Sequence, residues 1–366
     1  MSGQTTRQTV DGANLAGRRK QLNLTQADLA SSCGISRQFM SMLEAGRVQP
    51  NVQVALKLAS VLGTTVETLF SVDADAPVEI DVTCAKENIA CGTRVNVAKV
   101  GDAWVAHPAD TPDSIGGGFN TADGVIVRAG AHHVASCAQS IRELECNLVF
   151  AGCDPAMRLL CDARLDAPGH STWINCGSGQ ALKYMAEGLA HVAGLHYGFD
   201  DGDENLRAIK RVLPSADIFV MRFSSWEQGW LLSRRVPESF GGVGDIAAHS
   251  LRVANREPGA AVRRWLDEEL AKQKIDPRDV PGYDIVHFSH TEAVESIQAG
   301  RADVMLGPCV MASVFGLRFI PIGRVAFDLA FHKSLFDHPR LDACLKWLAS
   351  KRFHQELSTL PGYYIQ

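Results

Sequence analysis

Residues 24–64 read LTQADLASSCGISRQFMSMLEAGRVQPNVQVALKLASVLGT and carry the start and stop signals of several short helices. Thr25, with Asp28 three residues later, fits a capping box, and Ser36 is a second N-cap candidate. Gly34 lies between the two helices that these residues open, where a tight turn is needed. A helix, a short turn and a second helix predict a helix-turn-helix.

Short helical patterns continue on both sides of this stretch. Further helices are predicted over 13–21, 52–62 and 66–70, which completes an all-α head over residues 10–71. Residues 1–70 contain seven Lys or Arg and four Asp or Glu, which gives a net charge of +3. The remaining residues contain 29 Lys or Arg and 37 Asp or Glu, which gives a net charge of −8. A basic head on an acidic body favours a polyanion as the partner of the head.

The stretch 24–64 resembles the Cro/C1 (XRE-type) repressor family. The likeness lies in Thr-Gln at 25–26, Gly-Ile-Ser at 34–36, Leu-Glu-x-Gly at 43–46 and the following Pro50. The resemblance implies that the second helix of the motif presents side chains to the major groove of double-stranded operator DNA. The residues expected to contact DNA are Gln26, Ser36, Arg37, Gln38, Ser41, Met42 and Arg47.

These residues are expected to play different roles. Arg37 suits the two acceptors of guanine, and Gln38 suits the acceptor and donor of adenine. By the resemblance, Gln26 contacts a phosphate, while Arg19 and Glu44 form a structural ion pair. One such unit makes few phosphate contacts, so a homodimer or a higher homo-oligomer is expected. A helical module that binds another protein is the alternative interpretation of the head.

Residues 72–146 are predicted to form a small β-rich connector. The segment GTRVNVAKVGDAWVAHPA at 92–109 alternates apolar and polar residues around a Gly-Asp turn, which predicts a hairpin, and DGVIVRAG at 123–130 predicts another strand. The glycine triplet at 116–118 has no Lys-Ser or Lys-Thr after it, so we interpret it as a loop rather than a phosphate cradle.

From residue 147 to residue 366 short apolar runs alternate with amphipathic segments. LVFAG at 148–152 predicts a buried strand, and similar runs recur before predicted helices throughout this body. Repeated strand-helix units predict a mostly parallel sheet covered by helices. In such sheets ligands bind at the carboxyl ends of the strands, where helix N-termini offer free N–H groups.

This body resembles the type II periplasmic-binding-protein-like ligand domain that follows helix-turn-helix heads in bacterial regulators, in the branch related to molybdate-binding and molybdopterin-biosynthesis proteins. The segments that carry the likeness are AGCDPAMRLL at 151–160, NCGSGQAL at 175–182, AHVAGLHY at 190–197, EQGW at 227–230, VANREPGAAVRRWLD at 253–267, PGYD at 281–284, SHTEAVESIQAGRADVMLG at 289–307, FGLRFIPI at 315–322 and AFDLAF at 326–331. The resemblance implies two α/β lobes around a cleft, one near 147–232 and one near 250–322, with the chain returning across the hinge.

Polar residues at strand ends and helix starts are the candidates for contact with a ligand in this cleft. They are Cys153, Asp154, Ser178, Gly179, His196, Trp226, Asn255, Arg256, Ser289 and His290. We expect Trp226 to lie in the crossover between the lobes. Ser178 and Ser289 have an equally good interpretation as N-caps.

Two departures from the family pattern bear on the ligand. The hydroxyls of the family's Gly-Ser-Gly-Thr-Arg segment are replaced here by Ala260 and Val262, and a family arginine is replaced by Trp226. An oxyanion needs such donors, because a charge-assisted hydrogen bond contributes about 1.5–3 kcal/mol. The effector is expected to be an organic metabolite or an oxyanion, with an organic molecule against Trp226 favoured over molybdate or tungstate.

A cluster of cysteines supports an alternative function. The members are Cys137, Cys146, Cys153, Cys161 and Cys176, with His133 four residues before the first. His133 and Cys137 would share a face if their segment were helical, as in half of a metal site. Cys153, at a predicted helix start, is expected to be the most reactive thiol. The alternative is therefore a thiol- or metal-responsive regulator, although the chain has no Cys-x-x-Cys pair and we assign it no metal and no cofactor.

The sequence favours a regulator over an enzyme. Nucleophile candidates are Cys153 and Ser178, with His196 or His290 as base, but the chain has no Gly-x-Ser-x-Gly elbow, Walker loop or dinucleotide fingerprint. No apolar run of about 18 residues and no secretion signal is present, so a cytoplasmic protein with reduced cysteines and no membrane partner is expected. The prediction is a ligand-responsive transcriptional regulator.

Overall fold

The structure is a computed structural model of the chain and describes residues 13–70, 77–85, 89–111, 119–199 and 203–364. Two compact units are present, Met1–Pro77 and Val78–Gln366. Among the helices in the described part, none has the length and apolar character needed to cross a lipid bilayer. The glycine triplet of the predicted connector loop lies outside the described residues.

The first unit contains the helical head, which we define as residues 13–70. Its helices are α1 (Ala13–Gln21), α2 (Gln26–Cys33), α3 (Arg37–Glu44), α4 (Val52–Leu62) and α5 (Val66–Phe70). Thr25 and Asp28 form the predicted capping box, and Gly34 adopts the left-handed conformation (φ 70°) that a tight turn requires. Buried leucines and Met40 form one core beneath these helices. The predicted helix-turn-helix is confirmed.

The second unit begins with a closed five-stranded barrel. Its strands are β1 (Val78–Cys84), β2 (Arg94–Val100), β3 (Ala103–Pro108), β4 (Gly124–Arg128) and β5 (His133–Cys137), in the order β1-β3-β2-β4-β5, with β5 closing onto β1. The predicted hairpin is β2–β3, which pairs Val100 with Ala103. The connector is therefore a barrel with its own core.

The structure corrects the metal interpretation of His133 and Cys137. Their segment is the strand β5 and not a helix. Four residues along a strand span about 13 Å, which is too far for two side chains to chelate one ion directly. Cys137 instead fills the barrel core.

A short helix, α6 (Ile141–Leu144), leads into the body. The body strands are β6 (Leu148–Gly152), β7 (Ser171–Asn175), β8 (Val192–Leu195), β9 (Ile218–Leu232), β10 (Asn255–Arg256), β11 (Val286–His287), β12 (Val304–Pro308), β13 (Arg318–His332) and β14 (Tyr363–Tyr364). The body helices are α7 (Met157–Cys161), α8 (Ser178–Ala186), α9 (Asp203–Val212), α10 (Val243–Ala248), α11 (Ala261–Lys272), α12 (His290–Gln298), α13 (Cys309–Phe315), α14 (Pro339–Leu348) and α15 (Lys351–Ser358).

The body sheet has the order β12-β9-β13-β8-β6-β7, with β14 also paired to β9, and β10–β11 form a separate pair. We call the part built on β6, β7 and β8 lobe one and the part built on β10, β11 and β12 lobe two. The chain returns from lobe two to lobe one along β13, which pairs with β9 over its whole length. This is the two-lobed architecture that the sequence predicts.

The prediction of a mostly parallel sheet is wrong. β6 pairs parallel with β7 and β8, but β9, β13, β12 and β8 meet in antiparallel pairs. The reason is that β9 carries the chain from lobe one to lobe two and β13 carries it back, so the two long strands must run in opposite directions.

Buried hydrogen bonds attach the barrel to lobe one. Asp123 of the barrel accepts from the Asn147 side chain at the start of lobe one at 3.1 Å. His191, just before β8, accepts from the Val149 N–H through Nδ1 and donates from Nε2 to the Lys99 carbonyl of β2. Because both ring nitrogens of His191 are used, the neutral imidazole fits this position and burial lowers its pKa to about 4.

His191 should contribute to the acid sensitivity of this unit. Its pKa is lower in the folded chain than the ordinary 6.5, so the stability it provides is complete above about pH 6.5 and is lost as the pH falls toward 4. Between about pH 6.5 and pH 4, we expect His191→Gln to reduce the slope of the unfolding free energy against pH by up to about 1.4 kcal/mol per pH unit. Urea unfolding followed by tryptophan fluorescence tests this, because all six tryptophans follow residue 77.

The matched control is His132→Gln, which alters an exposed histidine of the barrel. It should leave the pH dependence as in the parent chain. An unchanged slope in His191→Gln would contradict the assignment of a buried neutral imidazole.

Candidate DNA-binding surface and ligand cleft

The first turn of α3 is held by its cap and leaves polar side chains exposed. The Ser36 hydroxyl accepts from the Phe39 N–H at 3.1 Å, which fixes the start of the helix. Arg37, Gln38 and Ser41 are exposed, and Met42 is half-buried. Side chains four residues apart lie on the same face of a helix, so these residues form one continuous surface.

The predicted phosphate contact, Gln26, belongs to a network behind this surface. Arg19 and Glu44 form the expected ion pair, with Arg19 Nε 2.6 Å from Glu44 Oε1. Gln26 Nε2 donates to the other oxygen of Glu44 at 2.8 Å. The network joins α1, α2 and α3, while Arg47 lies exposed after α3. All seven predicted DNA contacts thus lie in the helix-turn-helix or directly after it.

A cavity of about 90 Å³ lies between the two lobes of the body. Its walls come from both lobes and from the long strands that join them. The lining residues are His196, Tyr197, Gly198, Phe199, Glu204, Gln228, Ala261, Val262, Arg264, Trp265, Glu268, Leu306 and Val325. His196 is the predicted ligand residue among them. A void of about 10 Å³ beside it is lined by Asn255 and Arg256.

His196 is oriented by two other predicted residues. Its Nδ1 lies 3.4 Å from Cys153 Sγ and 3.3 Å from Ser178 Oγ, and its backbone N–H donates to Ser178 Oγ at 3.0 Å. Burial raises the pKa of Cys153 to about 12 and lowers the pKa of His196 to about 3. The thiol therefore keeps its proton and the imidazole is neutral.

This arrangement differs from an activated nucleophile. Cys153 and Ser178 both contact a histidine, as a nucleophile with a base would. The expectation that Cys153 is the most reactive thiol is wrong, because burial outweighs any effect of a helix start and raises its pKa. A histidine with a pKa of about 3 is also a weak base at neutral pH. The contacts position His196.

Two polar atoms of the cavity walls have no partner. Within the described part of the chain, no hydrogen-bond partner reaches His196 Nε2 or Gln228 Nε2, although both are buried. Trp226 Nε1 donates to Gln228 Oε1 at 3.1 Å, which fixes the amide oxygen on that side and the NH₂ group on the other. A buried donor without an acceptor costs about 1–3 kcal/mol.

Charged residues lie along another part of the wall. Arg264 Nη2 lies 2.6 Å from a Glu204 oxygen, its Nε lies 3.6 Å from Glu268, and it also donates to the Tyr197 carbonyl. The rings of Phe199 and Trp265 meet edge to face, 6.0 Å apart between centroids. The wall therefore combines aromatic surface with two carboxylates and one guanidinium.

A side chain of lobe two is seated against the start of α8. Glu257 accepts from Arg256 through both oxygens, at 2.8 and 3.1 Å. A Cβ added at Gly177, the residue before α8, would collide with Glu257 Oε1, so the carboxylate would have to move. The predicted residue Gly179 lies against Gly259 in the same contact. The lobes thus meet at α8.

Trp226 lies in β9, the strand that carries the chain from lobe one to lobe two, which agrees with its predicted position in the crossover. It is 1% exposed and is not part of the cavity wall. Its ring packs against His196, Phe327 and Tyr363. Trp226 therefore supports the cavity from behind and does not line it.

Asp154, Ser289 and His290 also lie outside the cavity wall. Asp154 accepts from Ser224 at 2.7 Å and from the Tyr363 hydroxyl, and burial raises its pKa to about 6. Ser289 caps α12 by accepting from the Glu292 N–H at 3.0 Å. His290 is buried at the start of the same helix.

Sequence reasoning missed most of the wall. Gln228 stands two residues after Trp226 in the segment EQGW, and side chains two apart share one face of a strand. Arg264 and Trp265 lie in the second turn of α11, in a segment for which only the lost hydroxyls were considered. The prediction was limited to residues at strand ends and helix starts, and these three residues lie elsewhere in their elements.

The described residues contain no group of three or more His, Cys, Asp or Glu side chains that could hold a metal ion. Of the predicted cluster, Cys137 lies in the barrel core and Cys161 in the core of lobe one. The structure thus offers the metal-responsive alternative no preformed site in its described part.

Comparison with known proteins links each unit to a family. A model of the PBP superfamily domain matches residues 163–349, and a helix-turn-helix model matches residues 15–69. The uncharacterized protein YvgK of Bacillus subtilis (strain 168) is 28% identical over 188 residues, 51% of this chain and 60% of that protein. The chain therefore spans about 60% of the length of this relative.

Two further likenesses concern the head and the body separately. An uncharacterized HTH-type transcriptional regulator of Methanocaldococcus jannaschii is 40% identical over 53 residues, 14% of this chain and 80% of that protein. A putative phosphate transporter substrate-binding protein from Clostridium perfringens with bound phosphate has a TM-score of 0.47 at 10% identity, covering 60% of this chain and all of that chain.

The thiols should differ sharply in reactivity in the folded chain. Cys91 is exposed, whereas Cys153, Cys161 and Cys176 are buried and burial raises the pKa of each thiol. We expect iodoacetamide at pH 8 to modify Cys91 at least about tenfold faster than these three, as read by peptide mass spectrometry.

Unfolding in urea serves as the control, because it should remove the difference among the four sites. Rapid modification of Cys153 in the folded chain would contradict the buried, protonated thiol described above.

Proposed function

This chain belongs to the PBP superfamily and carries a helix-turn-helix domain, and from these two parts we propose that it is a transcriptional regulator that binds operator DNA through α3 and a small molecule in the cleft between its lobes. The observation that carries the proposal is the exposed polar first turn of α3 on a capped and well-packed motif. That turn is the part of a helix-turn-helix that reaches base edges.

Arg37 and Gln38 are the proposed specificity residues. A guanidinium bonds both acceptors of guanine, and a side-chain amide pairs with adenine. Ser41, Met42 and Arg47 extend this surface, and such flanking contacts position a protein on the phosphate backbone. The net charge of +3 over residues 1–70 supports the approach to a polyanion.

We propose that the regulator acts as a homodimer or a higher homo-oligomer. A single head contributes few phosphate contacts, and two heads on half-sites about one helical turn apart multiply them. The ligand then acts by population shift: a molecule that binds one arrangement of the lobes more tightly favours that arrangement. The resulting change in operator affinity equals the coupling free energy, typically about 1–3 kcal/mol.

The ligand cleft is proposed for the cavity at His196. Aromatic and aliphatic side chains dominate its wall, with a few polar groups, as is usual for small-molecule sites. This composition supports an organic metabolite over an oxyanion. We do not propose an enzyme, because Cys153 and His196 have pKa values shifted away from those that an activated nucleophile and its base require.

Substitution on α3 should separate base contacts from general DNA binding. Fragments of genomic DNA selected by the full chain supply the operator. On the selected site, Arg37→Ala should weaken binding about 10- to 100-fold and relax the preference at one base pair, because a bidentate base contact is worth about 1–3 kcal/mol. Arg47→Ala should weaken binding to all DNA sequences alike. It should also reduce the slope of the logarithm of the binding constant against the logarithm of the salt concentration by about one.

Gln53→Ala is the matched control, since Gln53 is exposed on α4, outside the helix-turn-helix formed by α2 and α3. It should bind the selected operator as the parent chain does. If no fragment were preferred over bulk DNA at any salt concentration, the proposed function would be wrong.

A further inference from the structure

The cavity between the lobes has in its wall a buried amide whose two N–H donors have a fixed direction. Gln228 cannot turn its amide around, because the indole N–H of Trp226 requires the oxygen on its side. In the part of the chain that the structure describes, Gln228 Nε2 has no hydrogen-bond partner. An occupant with a hydrogen-bond acceptor would satisfy it.

The surroundings of these donors favour a flat and largely apolar body. Phe199, Trp265 and Tyr197 supply aromatic surface, while Val262 and Leu306 contribute aliphatic surface. The Phe199 and Trp265 rings meet edge to face, which leaves planar surface for a further ring. The polar groups are few and sit at defined positions, so they orient the occupant rather than solvate it.

The charges of the wall disfavour an anion. Its ionisable groups are Glu204, Glu268 and Arg264, with His196 neutral, which gives a net charge of −1. Arg264 is already bound to both carboxylates and to the Tyr197 carbonyl. An entering oxyanion would meet two negative charges and a guanidinium whose own charge is already paired with them.

The neighbouring position that would suit an oxyanion is filled from within the chain. Arg256 is 2% exposed and pairs with Glu257 through two hydrogen bonds. Glu257 Oε1 also lies against Gly177 at the start of the nine-residue helix α8. The carboxylate thus occupies the space between a buried cation and a helix N-terminus, where an external anion would otherwise bind.

We propose that the cleft takes an uncharged, flat molecule with a hydrogen-bond acceptor that faces Gln228 Nε2, and that it rejects oxyanions. This inference deepens the proposed function and rests on it for the role of the cleft. The cavity of about 90 Å³ is several times the roughly 10–15 Å³ that admits a single water, so it has room for a small organic ligand.

Three probes of nearly equal shape test the proposal. Benzamide is uncharged and has a carbonyl acceptor, benzoate is an anion, and benzamidine is a cation without an acceptor at neutral pH. Binding to the full chain is measured by calorimetry and by ligand-observed NMR. We expect benzamide to bind at least tenfold more tightly than benzoate or benzamidine, and inorganic phosphate not to bind.

Gln228→Glu tests the assignment of the donor. The substitution keeps an oxygen for the Trp226 indole but replaces the free NH₂ group with a second oxygen. We expect benzamide binding to fall at least tenfold and the preference to move toward benzamidine. Gln355→Glu is the matched control, because it makes the same chemical change at an exposed position of α15 and should bind all probes as the parent does.

The outcomes separate the ligand class from the proposed function. Tighter binding of benzoate, benzamidine or phosphate than of benzamide would overturn the ligand class while leaving a small-molecule cleft in place. The proposed ligand class would also be overturned if none of the four probes bound. The same holds if Gln228→Glu left benzamide binding unchanged. Operator preference is measured in the absence of any probe. Its loss would contradict the proposed function and would not bear on the ligand class.

Discussion

The two-lobed body depends on the pairing of β9 with β13. These strands are each fifteen residues long and pair antiparallel from Arg318 with Leu232 to His332 with Ile218. Lobe one adds β8, β6 and β7 to one end of this ladder, and lobe two adds β12 to the other. Because the ladder is continuous, the lobes share one backbone scaffold.

The register of the β9–β13 ladder shifts between Pro321 and Gly323, next to Gln228, and such an irregularity bends a strand. The cavity therefore lies beside a bend in the shared scaffold.

Local signals predicted the head well and the cavity poorly. Caps and turns are decided by neighbours three or four residues away, so Thr25, Asp28 and Gly34 identify the helix-turn-helix from the sequence alone. The cavity wall depends on contacts between distant segments. Asp154 stands at a strand end, but the Tyr363 hydroxyl, 209 residues further along the chain, binds it inside the core. The sequence near Asp154 does not predict that contact.

Several polar residues predicted to bind ligand instead organise the walls of the cleft. Cys153 and Ser178 hold His196, and Trp226 holds Gln228. Glu257 neutralises the buried Arg256, a cation that would be costly to leave alone in a core. The predicted residues lie around the cavity because strand ends converge there. It could not tell a residue that faces the cavity from one directly behind it, since both lie at the same edge of the sheet.

The attachment of the barrel to lobe one has a mechanical consequence. Asp123 and His191 tie the two together with buried hydrogen bonds, and Ala98 and Val105 of the barrel pack into the same core as Leu182 and Ala190 of lobe one. The barrel and lobe one thus form one packed body, which begins at Val78, the first residue of β1. A rearrangement of lobe two about the β9–β13 scaffold would therefore leave the barrel attached to lobe one.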